Sequence, residues 1–288
     1  MWLVLSLLAA FTQATADAFT KKAISGTDTY IVAMLRNLLA VPFLVVALIF
    51  IPVPKLDGTF YIAVAASLPL EILASLLYVK AIECSPLSLT MPFQALTPLF
   101  LLFSSFIMLG EVPSAGGITG VVLICAGAYL LNAHTLRRGG IFAPFRAIFR
   151  EKGSMMMIGV AFIYALTSDL GKLALLHSSP QFFGAVYVII FSLVFMPVNL
   201  ALAKKPLAIS LKGLPVLVLV GFCVSVMAMV QPIALSLSNV SYMIAVKRTS
   251  LLFSIGYGYM IFREINIRER LIGAAVMLAG LVFIVFSK

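Results

Sequence analysis

The chain has 288 residues, of which 62% are hydrophobic and only 10% charged, and its mean hydropathy is +1.15. A soluble domain carries about 25% charged residues, so the composition excludes an ordinary soluble fold and points to a membrane. The net charge of +10 collects at the ends of apolar segments, as in membrane proteins, and nucleic acid is excluded as a partner.

A membrane-spanning helix needs about 20 mostly apolar residues. Ten such segments follow in chain order, numbered spans 1 to 10: residues 2–22, 29–51, 60–82, 87–109, 114–132, 154–174, 180–203, 213–236, 239–262 and 268–287. Little chain is left for a soluble domain. Because only helices, or backbone lining a cavity, can cross lipid, an all-α membrane protein is expected.

Span 1 carries Asp17. Its Ala14-Thr15-Ala16 mimics a signal-peptidase site, but no basic segment precedes it, so the span is read as retained. Span 2 carries Arg36. Span 3 has Glu71 at its centre and Tyr78 seven residues on, a spacing that puts both on one face. Span 4 holds Gln94 and Thr97 between Pro92 and Pro98. Span 5 has Gly116, Gly120 and Gly127, small residues suited to close helix packing in lipid.

Residues 133–153 form the one substantial linker. There Phe142, Phe145, Ile148 and Phe149 interleave with Arg146, Arg150 and Lys152. This fits either a short helix on an anionic leaflet or a solvated hinge. Span 6 carries Asp169 and Lys172, span 8 Gln231-Pro232, span 9 Lys247-Arg248, and span 10 Gly273 and Gly280. A proline removes one backbone donor and frees a carbonyl a turn earlier, so spans 2, 4, 7 and 8, with Pro42, Pro92, Pro98, Pro197 and Pro232, are expected to bend. Cys84, Cys125 and Cys223 are far apart and show no metal or redox pattern; no cofactor is expected.

The sequence repeats itself. Residues 81–131 match 234–284 without a gap. Ala81 falls on Ala234, Ser85 on Ser238, Glu111 on Glu264, Gly120 on Gly273 and Gly127 on Gly280, each pair 153 residues apart. The starts of the halves also echo, Thr15-Ala16-Asp17 against Thr167-Ser168-Asp169. Three units are expected: a first five-helix repeat at 1–132, the linker at 133–153, and a second repeat at 154–288. Five is odd, so two halves of one fold insert upside-down relative to each other. Inverted repeats of this kind mark secondary transporters, with the substrate site between the copies.

Ionisable residues inside spans are costly and are functional candidates by default. Arg36, Glu71, Lys247 and Arg248 meet that criterion, and Tyr78, Gln94, Thr97 and Gln231 supply polar groups at similar depth. The scaffold residues repeat but the charges do not: Glu71 corresponds to Val224, Gln94 to Lys247 and Ala95 to Arg248. That asymmetry suits a ligand site. The competing structural reading is an ion pair of Glu71 with Arg36 or Arg248. Adjacent helix positions differ by about 100°, so Lys247 is expected in the cavity, with Arg248 on Glu71 or a freed carbonyl. One carboxylate against three cations makes the site net positive and its substrate anionic, a carboxylate or phosphate. Asp17 and Lys21, four apart, and Asp169 and Lys172, three apart, suit local ion pairs; the sharper reading makes each pair a gate for one face.

Fourteen cations lie on one side of the spans: Lys21, Lys22, Lys80, Arg137, Arg138, Arg146, Arg150, Lys152, Lys204, Lys205, Lys212, Arg263, Arg268 and Arg270. Three, Lys55, Lys172 and Lys288, lie on the other. The positive-inside rule then places the loop between spans 5 and 6 in the cytoplasm and both termini outside.

With Lys21-Lys22-Ala23 closing span 1, Arg36-Asn37 in span 2, and the acidic turns Leu109-Gly110-Glu111 and Phe262-Arg263-Glu264 before spans 5 and 10, the chain resembles the drug/metabolite transporter superfamily, specifically its EamA-type ten-helix members. Arg263 stands where the family has glycine. The resemblance implies export or exchange of a small metabolite by alternating access, often coupled to protons, in a bacterial or archaeal inner membrane. It also implies cytoplasmic termini, opposite to the charge distribution. Val246-Lys247-Arg248 is further similar to the Lys-Arg pair that holds phosphate in sugar-phosphate translocators. The alternatives are a lipid-phosphate flippase, since a cationic site also suits a lipid head group, and an intramembrane enzyme, for which no catalytic motif is found.

Overall fold

A computed structural model describes residues 1–23, 28–85, 93–133, 152–203, 214–262 and 271–287. The described residues are helical, with no strand among them. The helices are α1 (Trp2–Ala23), α2 (Thr29–Leu38), α3 (Val41–Ile49), α4 (Gly58–Cys84), α5 (Thr97–Leu109), α6 (Ala115–Ala133), α7 (Lys152–Leu176), α8 (Pro180–Leu202), α9 (Leu214–Ser236), α10 (Val240–Lys247), α11 (Ser250–Phe262) and α12 (Leu271–Phe286). Among the described residues six segments are long and apolar enough to cross a bilayer: α1, α4, α7, α8, α9, and α2 with α3 taken together. Shorter apolar helices fill the remaining positions.

Helix starts are set by local chemistry. Asp28, Asp57 and Ser179 cap α2, α4 and α8 by accepting from the backbone N–H of Tyr30, Phe60 and Phe182. At the end of α5, Gly110 adopts φ +66°, a left-handed conformation open to glycine. Its N–H donates to Phe106 O, and the N–H of Glu111 donates to Ser105 O. This turn fixes where Glu111 points.

Spans 2 and 4, expected to bend at their prolines, and span 9, for which no bend was expected, are each broken near their middles. Span 2 breaks at Leu39-Ala40, just before Pro42, and Ser225 of α9 donates to the Ala40 carbonyl at 3.1 Å. Span 4 turns at Ala95-Leu96, just before Pro98. Span 9 breaks at Arg248-Thr249 without a proline. There the Thr249 hydroxyl donates to Val246 O at 2.7 Å, and its N–H donates to the same carbonyl, a side-chain bond that competes with the helix ladder. Conversely, Pro197 and Pro232 sit inside α8 and α9 without interrupting them.

Packing follows the duplication. α1 lies along α9, and α4 lies along α7; exchanging the two halves turns one pair into the other. α6 and α12, equivalent in the repeat, pack on each other. A Cβ on Gly120 would sit 2.6 Å from Gly280 O, and one on Gly127 2.6 Å from Gly273 O. Ascending residue numbers on α6 therefore meet descending numbers on α12: the two helices are antiparallel, and only glycine allows so close an approach.

Both halves contribute to the main apolar cluster, which includes Phe60, Leu101, Leu175, Phe182, Leu235 and Val240. It fills the end of the bundle that carries the loops 50–57, 110–114, 177–179 and 237–239.

Candidate functional site

Inside the bundle, beneath that cluster, polar groups from seven helices converge. Arg36 of α2 forms an ion pair with Asp17 of α1. Glu71 of α4 faces Thr167 of α7, and the nearest cation acting on it is Lys247. Lys247 donates through Nζ to Gln231 Oε1 of α9 at 2.6 Å. Arg248, in the break of span 9, donates through Nη2 to Thr97 Oγ1 at 2.9 Å. Thr97 in turn donates to the Gln94 carbonyl at the break of span 4. Tyr78 lies within electrostatic reach of Asp17, Arg36 and Arg248. Seven of the eight residues expected from the sequence thus lie near one another, Gln94 being placed there only through its backbone carbonyl, and the charged ones are partly buried rather than sealed.

Two expectations are corrected. Glu71 pairs with neither Arg36 nor Arg248; among the described residues its carboxylate has no ion-pair partner. The acid of span 6 also does not pair along its own helix. In span 1 Asp17 forms an ion pair with Arg36, and the side chain of Lys21, its expected partner, lies outside the described residues. Lys172 turns away from Asp169 to form an ion pair with Glu111, and its Nζ also donates to Ser238 O at 2.7 Å. The reason is geometric. A three- or four-residue spacing makes a pair available, but a partner on a facing helix in a drier place holds the charge more strongly.

Around Lys172 the structure builds a closed end. Glu111 uses its second oxygen to accept from the Val240 N–H at 2.8 Å, capping the start of α10. Asp169 is fully buried and accepts from the Ser105 hydroxyl at 2.6 Å. At the same end His177 Nδ1 lies 2.6 Å from Asp57 Oδ2. The Phe60 N–H, and after it His177, hold the Asp57 carboxyl below its ordinary range.

Sequence reasoning missed Tyr164 and Tyr187. Tyr164 acts electrostatically on Glu71, Tyr78 and Arg248, and Tyr187 on Glu71, with Ser75 and Ser67 beside their hydroxyls. Both are tyrosines near the middle of apolar spans, a signal the search for ionisable charges passed over. The search also left Glu111 out of the gate, treating it as part of a turn motif.

A duplicated, multi-pass helical bundle with an ionic cluster at its centre defines an integral membrane protein of transporter type. The sequence profile of the EamA-like transporter family matches residues 1–133 and 151–286. The chain belongs to the EamA-like transporter family, whose members are membrane transporters of small molecules. The fold is similar to that of a solved crystal structure with a TM-score of 0.79, over 98% of this chain and 95% of that one at 12% identity. No curated protein matches the sequence.

Proposed function

We propose that the protein is a secondary transporter that exports or exchanges a small anionic metabolite by alternating access between two inverted five-helix repeats, residues 1–132 and 154–288, joined by the linker 133–153. The antiparallel seam of α6 and α12 supports the inversion: two equivalent helices that cross a shared interface in opposite directions are related by an axis perpendicular to them, in the membrane plane. The charge distribution supports a cytoplasmic 5–6 loop.

The observation that carries the anionic substrate is the partnering of the cations. Of Arg36, Lys247 and Arg248, only Arg36 meets a carboxylate among the described residues; Lys247 and Arg248 rest on the neutral Gln231 and Thr97. Two cations held by neutral groups in a membrane interior are costly unless a ligand anion completes them. Tyr78 and Gln94 offer further polar contacts, and Glu71 is the carboxyl suited to carry a coupling proton. The Lys172–Glu111 pair beside Asp169 serves as the gate to one face, and Asp17, with Arg36 and Lys21, as the gate to the other.

The test is thermal unfolding of the detergent-purified protein with a panel of small carboxylates and phosphate esters, since a ligand that binds only the folded state must stabilise it. A panel anion should raise the unfolding temperature of the wild type, and Lys247→Gln should abolish the rise without lowering the ligand-free transition much. Equal stabilisation of wild type and Lys247→Gln would overturn the reading.

A further inference from the structure

Asp169 stands apart from the other acids of the chain. It is 0% exposed, its Oδ1 accepts from Ser105, and its Oδ2 has no hydrogen-bond partner among the described residues. The Ser104 hydroxyl, itself 8% exposed, lies beside the carboxyl short of hydrogen-bonding geometry and has no partner either. A carboxylate anion buried in this way costs several kcal/mol unless a cation compensates it. One cation is in range, Lys172 three residues on, and it is committed to Glu111 and Ser238 O.

We propose that Asp169 is a proton-binding site built into the closed end, and that its proton and Lys172 are alternative partners. While the Lys172–Glu111 contact holds, the Asp169 carboxyl keeps its proton. When the contact breaks, the Lys172 ammonium swings to Asp169, the O–H bond of the carboxyl breaks, and the proton leaves to water on that face. Glu111, at the loop, is then solvated. Opening of this face is thereby tied to release of one proton, and closing to its recapture.

The surroundings leave no competing titratable group. α5, which supplies Ser104 and Ser105, has none, and the only one in α9 is Cys223. α8 offers Tyr187, α4 Glu71 and Tyr78, α7 itself Tyr164 and α10 Lys247; these belong to the central site, where Glu71 meets α7 at Thr167. Tyr242 of α10 is engaged elsewhere, its hydroxyl accepting from the Ser114 N–H at 2.8 Å. The charges that act on Asp169 are Glu111 and Lys172. The inference rests on the transporter reading for its purpose, but the proton site is separate from the substrate site, so the two can fail independently.

The test is infrared spectroscopy of the full-length protein in lipid at neutral pH, read at the C=O stretch of protonated carboxyls. The wild type should show a band that moves on incorporation of ¹³C-aspartate. Of the four aspartates, 17, 28, 57 and 169, only Asp169 is fully buried, so the isotope shift assigns the band even if a variant folds poorly. Asp169→Asn should remove it. Glu71→Gln should leave it. Glu111→Gln, which releases Lys172, should weaken it severalfold at the same pH, and Lys172→Met should retain it. Absence of a ¹³C-aspartate-sensitive band, or a band indifferent to Glu111→Gln, would overturn the proposal. So would a carboxylate signal that responds to sodium at fixed pH, which would make this a sodium site.

Discussion

Each half of the chain places an aspartate near the end of its first span, and the two meet different surroundings. Asp17 pairs with Arg36 where the side chains keep 40% and 27% of their exposure. Asp169 is sealed from solvent, and the ion pair beside it, Lys172 with Glu111, keeps 11% on each side. Equivalent positions in a duplicated protein are thus dry at one end and wet near the other. The proposed alternating-access mechanism accounts for such a contrast, because it has the two repeats exchange roles when the site turns to the other face. The contrast also locates energy: a charge pair in a dry place is far more sensitive to loss of one member than a wet one.

The largest effect should therefore come from the closed end. Lys172→Met leaves Glu111 buried without its cation and should destabilise the protein by about 3–5 kcal/mol, read as thermal unfolding in detergent. A loss no greater than that of Asp17→Asn would remove the distinction between the two ends. The seam of α6 and α12 treats the halves alike and serves as the symmetric reference. Gly127→Ala and Gly280→Ala, equivalent positions of the repeat, each push a Cβ to within 2.6 Å of a facing carbonyl oxygen, Gly273 O and Gly120 O. They should cost similar amounts, about 1–3 kcal/mol each; markedly unequal losses would break the pseudo-symmetry. Asp17→Asn, at the wetter pair, should cost about 0.2–1 kcal/mol, within the range of exposed ion pairs.

The smallest effect concerns Asp57, at the closed end but on its surface. Its carboxyl is held below the ordinary range, chiefly by the Phe60 N–H and then by His177. A depressed value in the folded state contributes stability that is present above the unfolded value of about 3.9 and is lost as pH falls through the folded value. The wild type should thus exceed Asp57→Asn in unfolding temperature at neutral pH, and the difference should begin to shrink as the pH drops below about 4 and vanish once it lies below the depressed folded value. A difference that grows on acidification would reverse the sign assigned here.

The membrane class and the duplication were legible in the sequence, and candidates for the central site could be named from it, because each rests on local information. Twenty apolar residues leave a helix in lipid few alternatives, a repeat is visible as identity at fixed spacing, and a charge inside a span is conspicuous at once. Arg36, Glu71, Lys247 and Arg248 could be singled out without knowing the fold. Their partners could not. Spacing along a helix offered Lys172 to Asp169, whereas tertiary packing gave Lys172 to Glu111, 61 positions away; it also brought Arg36 to Asp17, 19 positions away, a contact that no helical spacing announces. The break of span 9 at Arg248-Thr249 had no proline to announce it; the Thr249 hydroxyl bonds the Val246 carbonyl there. An ion pair between facing helices depends on their rotation and on which end of the bundle is closed. Both follow from the assembled helices, and neither is written in any one of them.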